Sequence, residues 1–131
     1  MSELMASEFW QGIEQFNRGQ FYACHDTLEA LWIEATEPEK TFYQGILQIA
    51  VALYHLGNRN LRGAMILLGE GSNRLRRYPS IFAGVDVDNL LEQSATLLNF
   101  LQQTDPEILT NLTLGVDEAL PVPKIILVIS T

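Results

Sequence analysis

Few side chains in this sequence suit acid–base or metal chemistry, and they recur at helical spacing. The segment CHDTLEALW, residues 24–32, places His25, Glu29 and Trp32 at intervals of four and three residues. Because side chains three and four positions apart are neighbours on a helix, these three share one stripe. An imidazole beside a carboxylate could ligate a metal, move a proton or form a hydrogen-bonded pair.

A second polar stripe follows in the segment YQGILQIAVALYH, residues 43–55. It carries Gln44, Gln48, Ala52 and His55 at intervals of four, four and three residues. The interruption TEPEK, residues 36–40, is short, and short connections join antiparallel neighbouring helices. We therefore expect the two stripes to face each other across a helical hairpin.

The register of this hairpin combines both stripes into one polar cluster. Residues equidistant from the turn should meet, so His25 is expected to pair with His55 and Glu29 with Gln48. Gly45, which has no side chain, would let the two helices approach closely. The candidate cluster comprises His25, Glu29, Gln44, Gln48 and His55, with Trp32 and Gly45 as supporting residues.

Three interpretations of the cluster are open. A His–Glu–Gln network would satisfy polar groups between helices, where leaving one unpaired costs about 1–3 kcal/mol. His25, Glu29 and His55 could instead ligate Zn²⁺ or another divalent metal. A Glu beside a His in an apolar pocket could also act as a general base. The sequence has no HExxH zinc signature, and we expect a cluster that is closed to solvent.

Composition and charge narrow the class of protein. The 131 residues are 47% hydrophobic and 18% charged, which is typical of one globular domain. A formal net charge of −8 disfavours binding to nucleic acid or anionic lipid. Apolar runs such as residues 125–129 are too short to span a bilayer. The single cysteine excludes an internal disulfide, and no basic signal region precedes an apolar run. We expect a cytoplasmic protein without nucleic-acid or membrane partners.

Apolar periodicity predicts an all-α, single-domain bundle of about five helices built on antiparallel hairpins. The predicted helices span residues 3–17, 21–35, 39–56, 60–78 and about 86–103, and the nearly all-apolar third helix should be central. Residues 1–119 would form the bundle domain. Residues 120–131 would form an extended apolar tail that packs on the bundle or on a second subunit. The second arrangement would make the protein a homodimer.

The fourth predicted helix is rich in arginine. Between residues 58 and 78, Glu70 is the only acidic residue. The basic residues of this segment are Arg59, Arg62, Arg74, Arg76 and Arg77. Cations near a helix C-terminus interact favourably with the helix dipole. The same arginines could bind a protein partner or a small anionic ligand.

Two functions are consistent with these features. The leading hypothesis is a non-catalytic helical binding or interaction module with a buried His–Glu–Gln cluster between helices two and three. The alternative is a small metal-dependent or acid–base enzyme, hydrolase-like, that uses His25, Glu29 and His55.

The motifs also resemble a known family. The patterns F-W-x-G-x-x-x-F-N-x-G-x-F-Y-x-x-H-D-x-L-E-x-x-W, residues 9–32, and Y-Q-G-x-L-Q-x-A-V-A-L-Y-H, residues 43–55, resemble the uncharacterised family called domain of unknown function 309. The similarity extends over about residues 9–78. It implies a small all-helical bundle and no established activity, cofactor or partner. Ala23 and Cys24 depart from the Glu and Ala that the resemblance leads us to expect there.

Overall fold

The computed structural model describes residues 6–114, 116–117 and 119–128. Over these residues the chain forms six helices and one two-stranded sheet, which confirms the predicted all-α class. The elements are α1 (Ser7–Asn17), α2 (Phe21–Glu34), α3 (Glu39–Gly57), α4 (Leu61–Leu75), β1 (Ile81–Phe82), β2 (Val85–Asp86), α5 (Val87–Gln103) and α6 (Pro106–Leu109). In this part of the chain no helix is long and apolar enough to cross a membrane.

Helix α3 is the centre of the bundle because it is apolar on nearly every side. Phe42, Ile46, Ile49 and Leu53 are fully buried along it. Helix α2 packs against α3 on one side and α4 packs against it on another, while α1 covers α2 and α5 covers α4. Each of the first four helices therefore contacts the next one in the chain, as short connections favour.

Local sequence signals set most helix ends. Gly19 has a φ of +77°, which glycine adopts without strain, and α1 ends just before it. The side chain of Asn60 accepts a hydrogen bond from the Gly63 N–H at the start of α4. Asp86 does the same for the Asn89 N–H at the start of α5. Helix α4 ends at Leu75, three residues before the predicted end.

The expected role of Gly45 is corrected by the structure. Gly45 faces α4 rather than α2, and a Cβ atom there would lie 2.7 Å from a methyl carbon of Leu75. On α4, a Cβ atom at Gly71 would lie 2.7 Å from the carbonyl oxygen of Gly45. The two glycines thus allow the close approach of α3 and α4. Because α3 is apolar on several sides, the sequence alone did not show which neighbour Gly45 meets.

The loop between α4 and α5 contains a small hairpin that sequence reasoning missed. Ile81 pairs with Asp86 and Phe82 with Val85, around a turn in which Ala83 and Gly84 both have positive φ. Such turns match the twist of a two-stranded hairpin. The extended tail adds one bridge to this hairpin, between Val85 and Leu127.

Two amide side chains hold the tail on the bundle. Asn17 donates a hydrogen bond of 2.8 Å to the Ile125 carbonyl and accepts one of 2.7 Å from the Ile125 N–H. Gln93 bonds the carbonyl and N–H of Lys124 in the same way, at 2.7 and 2.9 Å. Residues 120–128 therefore lie against the bundle of their own chain, and the end of the predicted tail, residues 129–131, lies outside the described residues.

Candidate functional site: the α2–α3 groove

Most of the predicted cluster lines one cavity of about 230 Å³ between α2, α3 and α4. Its polar wall consists of His25, Glu29, Gln44 and Gln48. Its apolar floor consists of Leu47, Val51 and Leu67, and Trp32 closes one side. The structure thus brings four of the five predicted cluster residues to one place.

A second cavity, of about 170 Å³, adjoins the first and contains the fifth cluster residue. His55 lines it together with Phe21, Tyr22 and Tyr54. His25 and Val51 line both cavities, so the two adjoin at these side chains. We call the two cavities together the α2–α3 groove.

His25 lies between two carboxylates. Its Nε2 atom lies 3.7 Å from Oε2 of Glu29, and its Nδ1 atom lies 3.3 Å from Oδ1 of Asp26. The imidazole is 24% exposed and the Glu29 side chain 47% exposed. The cluster was predicted to be buried and closed, and this prediction is wrong. Helix α2 is covered by α1 and α3, which leaves the stripe with His25 and Glu29 at the edge of its contact with α3.

The amide of Gln48 bonds to α4 rather than to α2. Its Oε1 atom accepts a hydrogen bond of 3.1 Å from Arg74, and its Nε2 atom lies 3.4 Å from a carboxylate oxygen of Glu70. Glu29 lines the same cavity as Gln48, but the hydrogen bonds of Gln48 go to these two residues. Arg74 therefore stabilises the orientation of a groove residue, a role that sequence reasoning missed.

His55 lies near the turn into α4. Its Nδ1 atom is 3.4 Å from the amide nitrogen of Asn60, the residue that caps α4. In the part of the chain that the structure describes, no group of three or more His, Cys, Asp or Glu side chains could hold a metal ion. His25 and Glu29 form a pair, and His55 does not join them as a third ligand.

The cysteine next to His25 is not available for nucleophilic chemistry. Cys24 is fully buried, and burial raises the pKa of its thiol to about 12. A thiol that stays protonated is a poor nucleophile.

Trp32 is half-buried rather than part of the closed core. The ammonium group of Lys40 lies 4.5 Å from the centre of its ring, an attractive cation–π arrangement. The indole N–H is shielded from solvent and has no acceptor among the described residues. A buried donor without an acceptor is energetically costly.

Two tyrosines of the groove were missed by sequence reasoning. The rings of Tyr22 and Tyr54 are 5.2 Å apart between centroids, and Tyr22 lies 5.8 Å from the His25 ring. Tyr22 is 57% exposed and Tyr54 is 40% exposed. The signal was present, since Tyr22 precedes His25 by three residues and shares its stripe.

The five arginines have separate surroundings. Arg59 donates a hydrogen bond to the Thr110 carbonyl, Arg74 holds Gln48, and Arg76 reaches Asn73. Arg62 and Arg77 are exposed. Their binding of a partner or an anionic ligand stays a prediction.

Comparison with known proteins supports the resemblance seen in the motifs. Residues 9–67, which contain most of α1, all of α2 and α3 and the start of α4, match the model of a family described as a domain of unknown function (DUF309). The chain is also similar to the uncharacterized protein YpuF of Bacillus subtilis (strain 168), with 39% identity over 75 residues. That alignment covers 55% of this chain and 43% of YpuF, so the chain spans less than half of this relative. The resemblance to the domain of unknown function 309 is therefore confirmed over residues 9–67, the segment that carries both walls of the groove.

Proposed function

We propose that this protein is a non-catalytic binding module that takes a segment of a partner protein into the α2–α3 groove. The observation that carries the proposal is the pair of adjoining cavities, which have an apolar floor at Val51 and a partly exposed polar wall at His25 and Glu29. An apolar floor with a polar rim is the usual construction of a recognition groove.

The division of the groove into two adjoining cavities suits a peptide. Their volumes are about 230 and 170 Å³, so each has room for one bulky side chain. Two such subsites that share Val51 suit successive anchor residues of one segment. The exposed tyrosines agree with this proposal, because tyrosine is enriched at protein interfaces.

Selection from a random peptide library tests the proposal. Immobilised wild-type chain should enrich peptides that no longer bind when Val51→Lys or Leu67→Lys places a charge in the apolar floor. The matched control is Ile33→Lys, which makes the same change at a side chain that is 63% exposed on α2 and outside both cavities.

Circular dichroism should show that the variants keep the wild-type helix content. The proposal is wrong if no peptide is enriched on wild type. It is also wrong if folded Val51→Lys and Leu67→Lys chains bind the enriched peptides as well as the Ile33→Lys control does.

Acid–base catalysis is a second candidate function, favoured by the position of His25 between two carboxylates at the mouth of a cavity. An imidazole flanked in this way could transfer a proton to a bound substrate. Purified wild type and His25→Ala would be compared on a panel of ester, phosphate and glycoside substrates. Turnover that disappears in a folded His25→Ala variant would favour the enzyme, and the absence of any His25-dependent turnover would favour the binding module.

A further inference from the structure

We propose that the tyrosine end of the groove binds an arginine side chain of the docked segment. The inference deepens the proposed function and rests on it, because the arginine would belong to the segment that enters the groove. The site consists of the rings of Tyr22 and Tyr54 and the carboxylates of Asp26 and Glu29, arranged around His25.

The aromatic part of the site is open to solvent. The rings of Tyr22 and Tyr54 lie 5.2 Å apart between centroids, yet the two residues are 57% and 40% exposed. A planar guanidinium stacks on the face of an aromatic ring and is attracted by the ring quadrupole. The cavity beneath them, lined by Phe21 and Val51, would cover the apolar stem of the arginine.

The charge of the site complements a cation. Asp26 and Glu29 are 62% and 47% exposed and lie on either side of His25, within 3.3 and 3.7 Å of its two ring nitrogens. Across residues 6–114, 116–117 and 119–128, neither carboxylate forms an ion pair with a lysine or an arginine. The whole chain carries a formal charge of −8, which also attracts a basic segment.

Arginine fits this combination better than lysine does. A guanidinium can stack on a tyrosine and present its N–H groups to a carboxylate at the same time, because its donors lie in the plane of the stacked group. A lysine ammonium has no plane with which to stack.

The test is an NMR titration that uses N-acetyl-arginine amide as the probe and N-acetyl-citrulline amide as its uncharged equivalent. We expect the arginine probe to shift the resonances of Tyr22, His25 and Tyr54, and the citrulline probe to bind more weakly. Glu29→Gln and Tyr22→Leu should each weaken the arginine probe about threefold, the scale of an exposed ion pair or cation–π contact.

Two matched controls distinguish the site from general charge and from folding effects. Glu34→Gln removes a carboxylate from the end of α2 outside the groove and should leave the binding unchanged. Tyr22→Phe keeps the ring, so it should bind the arginine probe more tightly than Tyr22→Leu does. Equal binding of the two probes, or equal weakening by Glu34→Gln and Glu29→Gln, would overturn the inference.

The NMR titration tests the arginine site and the peptide selection tests the binding module, so the two proposals can be refuted separately. If the selected peptides depend on Val51 while the arginine probe does not shift the tyrosines, the arginine site is wrong and the binding module stands. If the arginine probe behaves as expected while no Val51-dependent peptide is enriched, the groove binds a free cation and the proposed function is wrong.

Discussion

The close approach of α3 and α4 makes a sharp prediction about two glycines of the same helix. A Cβ atom added at Gly71 would lie 2.7 Å from the backbone oxygen of Gly45 and 2.9 Å from a side-chain carbon of Ile49. A Cβ atom added at Gly69, two residues earlier on α4, would meet nothing within 4 Å. Gly69→Ala and Gly71→Ala therefore make the same chemical change in the same helix with opposite steric consequences.

The magnitude follows from two opposing terms. Replacing glycine by alanine in a helix interior stabilises it by about 1 kcal/mol. Overpacking costs about 1–3 kcal/mol, and the upper part of that range applies to Gly71 because a backbone oxygen cannot rotate away. We expect Gly69→Ala to be stabilised by about 1 kcal/mol and Gly71→Ala to be destabilised by about 1–2 kcal/mol. The difference between the variants, about 2–3 kcal/mol, isolates the steric term.

Urea denaturation followed by circular dichroism measures both free energies of unfolding. The comparison requires equal m-values, so that each variant exposes the same surface on unfolding. If Gly71→Ala is as stable as Gly69→Ala, α3 and α4 are not in the tight contact described above, and the position of Arg74 against Gln48 would have to be reconsidered.

Two further predictions concern the tail and the cysteine. Asn17→Ala should leave the backbone N–H and carbonyl of Ile125 without their partners, which costs about 1–3 kcal/mol and accelerates hydrogen exchange of the Ile125 amide. The control is Asn73→Ala, at an exposed asparagine. Unchanged exchange in Asn17→Ala would contradict the observed tail contacts. Burial raises the pKa of Cys24 from 9.0 to about 12, so the folded state holds the thiol proton more tightly than the unfolded state does. The contribution of the protonated Cys24 thiol to stability should be complete below about pH 9 and should decline as the pH rises towards 12. A free energy of unfolding, measured by urea denaturation, that does not decline over this alkaline range would refute this prediction.

Much of the helical framework could be predicted from the sequence because its signals are local. Apolar residues at helical spacing predicted the five long helices, and the apolar circumference of α3 predicted its central position. Asn60 and Asp86 cap helices through bonds to residues three positions away, an interaction contained in the local sequence. The stripes of His25 with Glu29 and of Gln44 with Gln48 follow from helical spacing for the same reason.

The tertiary structure decided everything that depends on which neighbour a side chain meets. Gly45 faces α4 rather than α2, Gln48 bonds Arg74, and Asn17 holds Ile125 across 108 residues of chain. A helix apolar on several sides has no local signal that assigns a neighbour to each side, and contacts between distant segments have no periodicity. The sequence therefore determined the polar residues of α2 and α3 that line the α2–α3 groove. Only the packing of the helices decided that the groove is open, because the exposure of His25 and Glu29 depends on how much of each helix its neighbours cover.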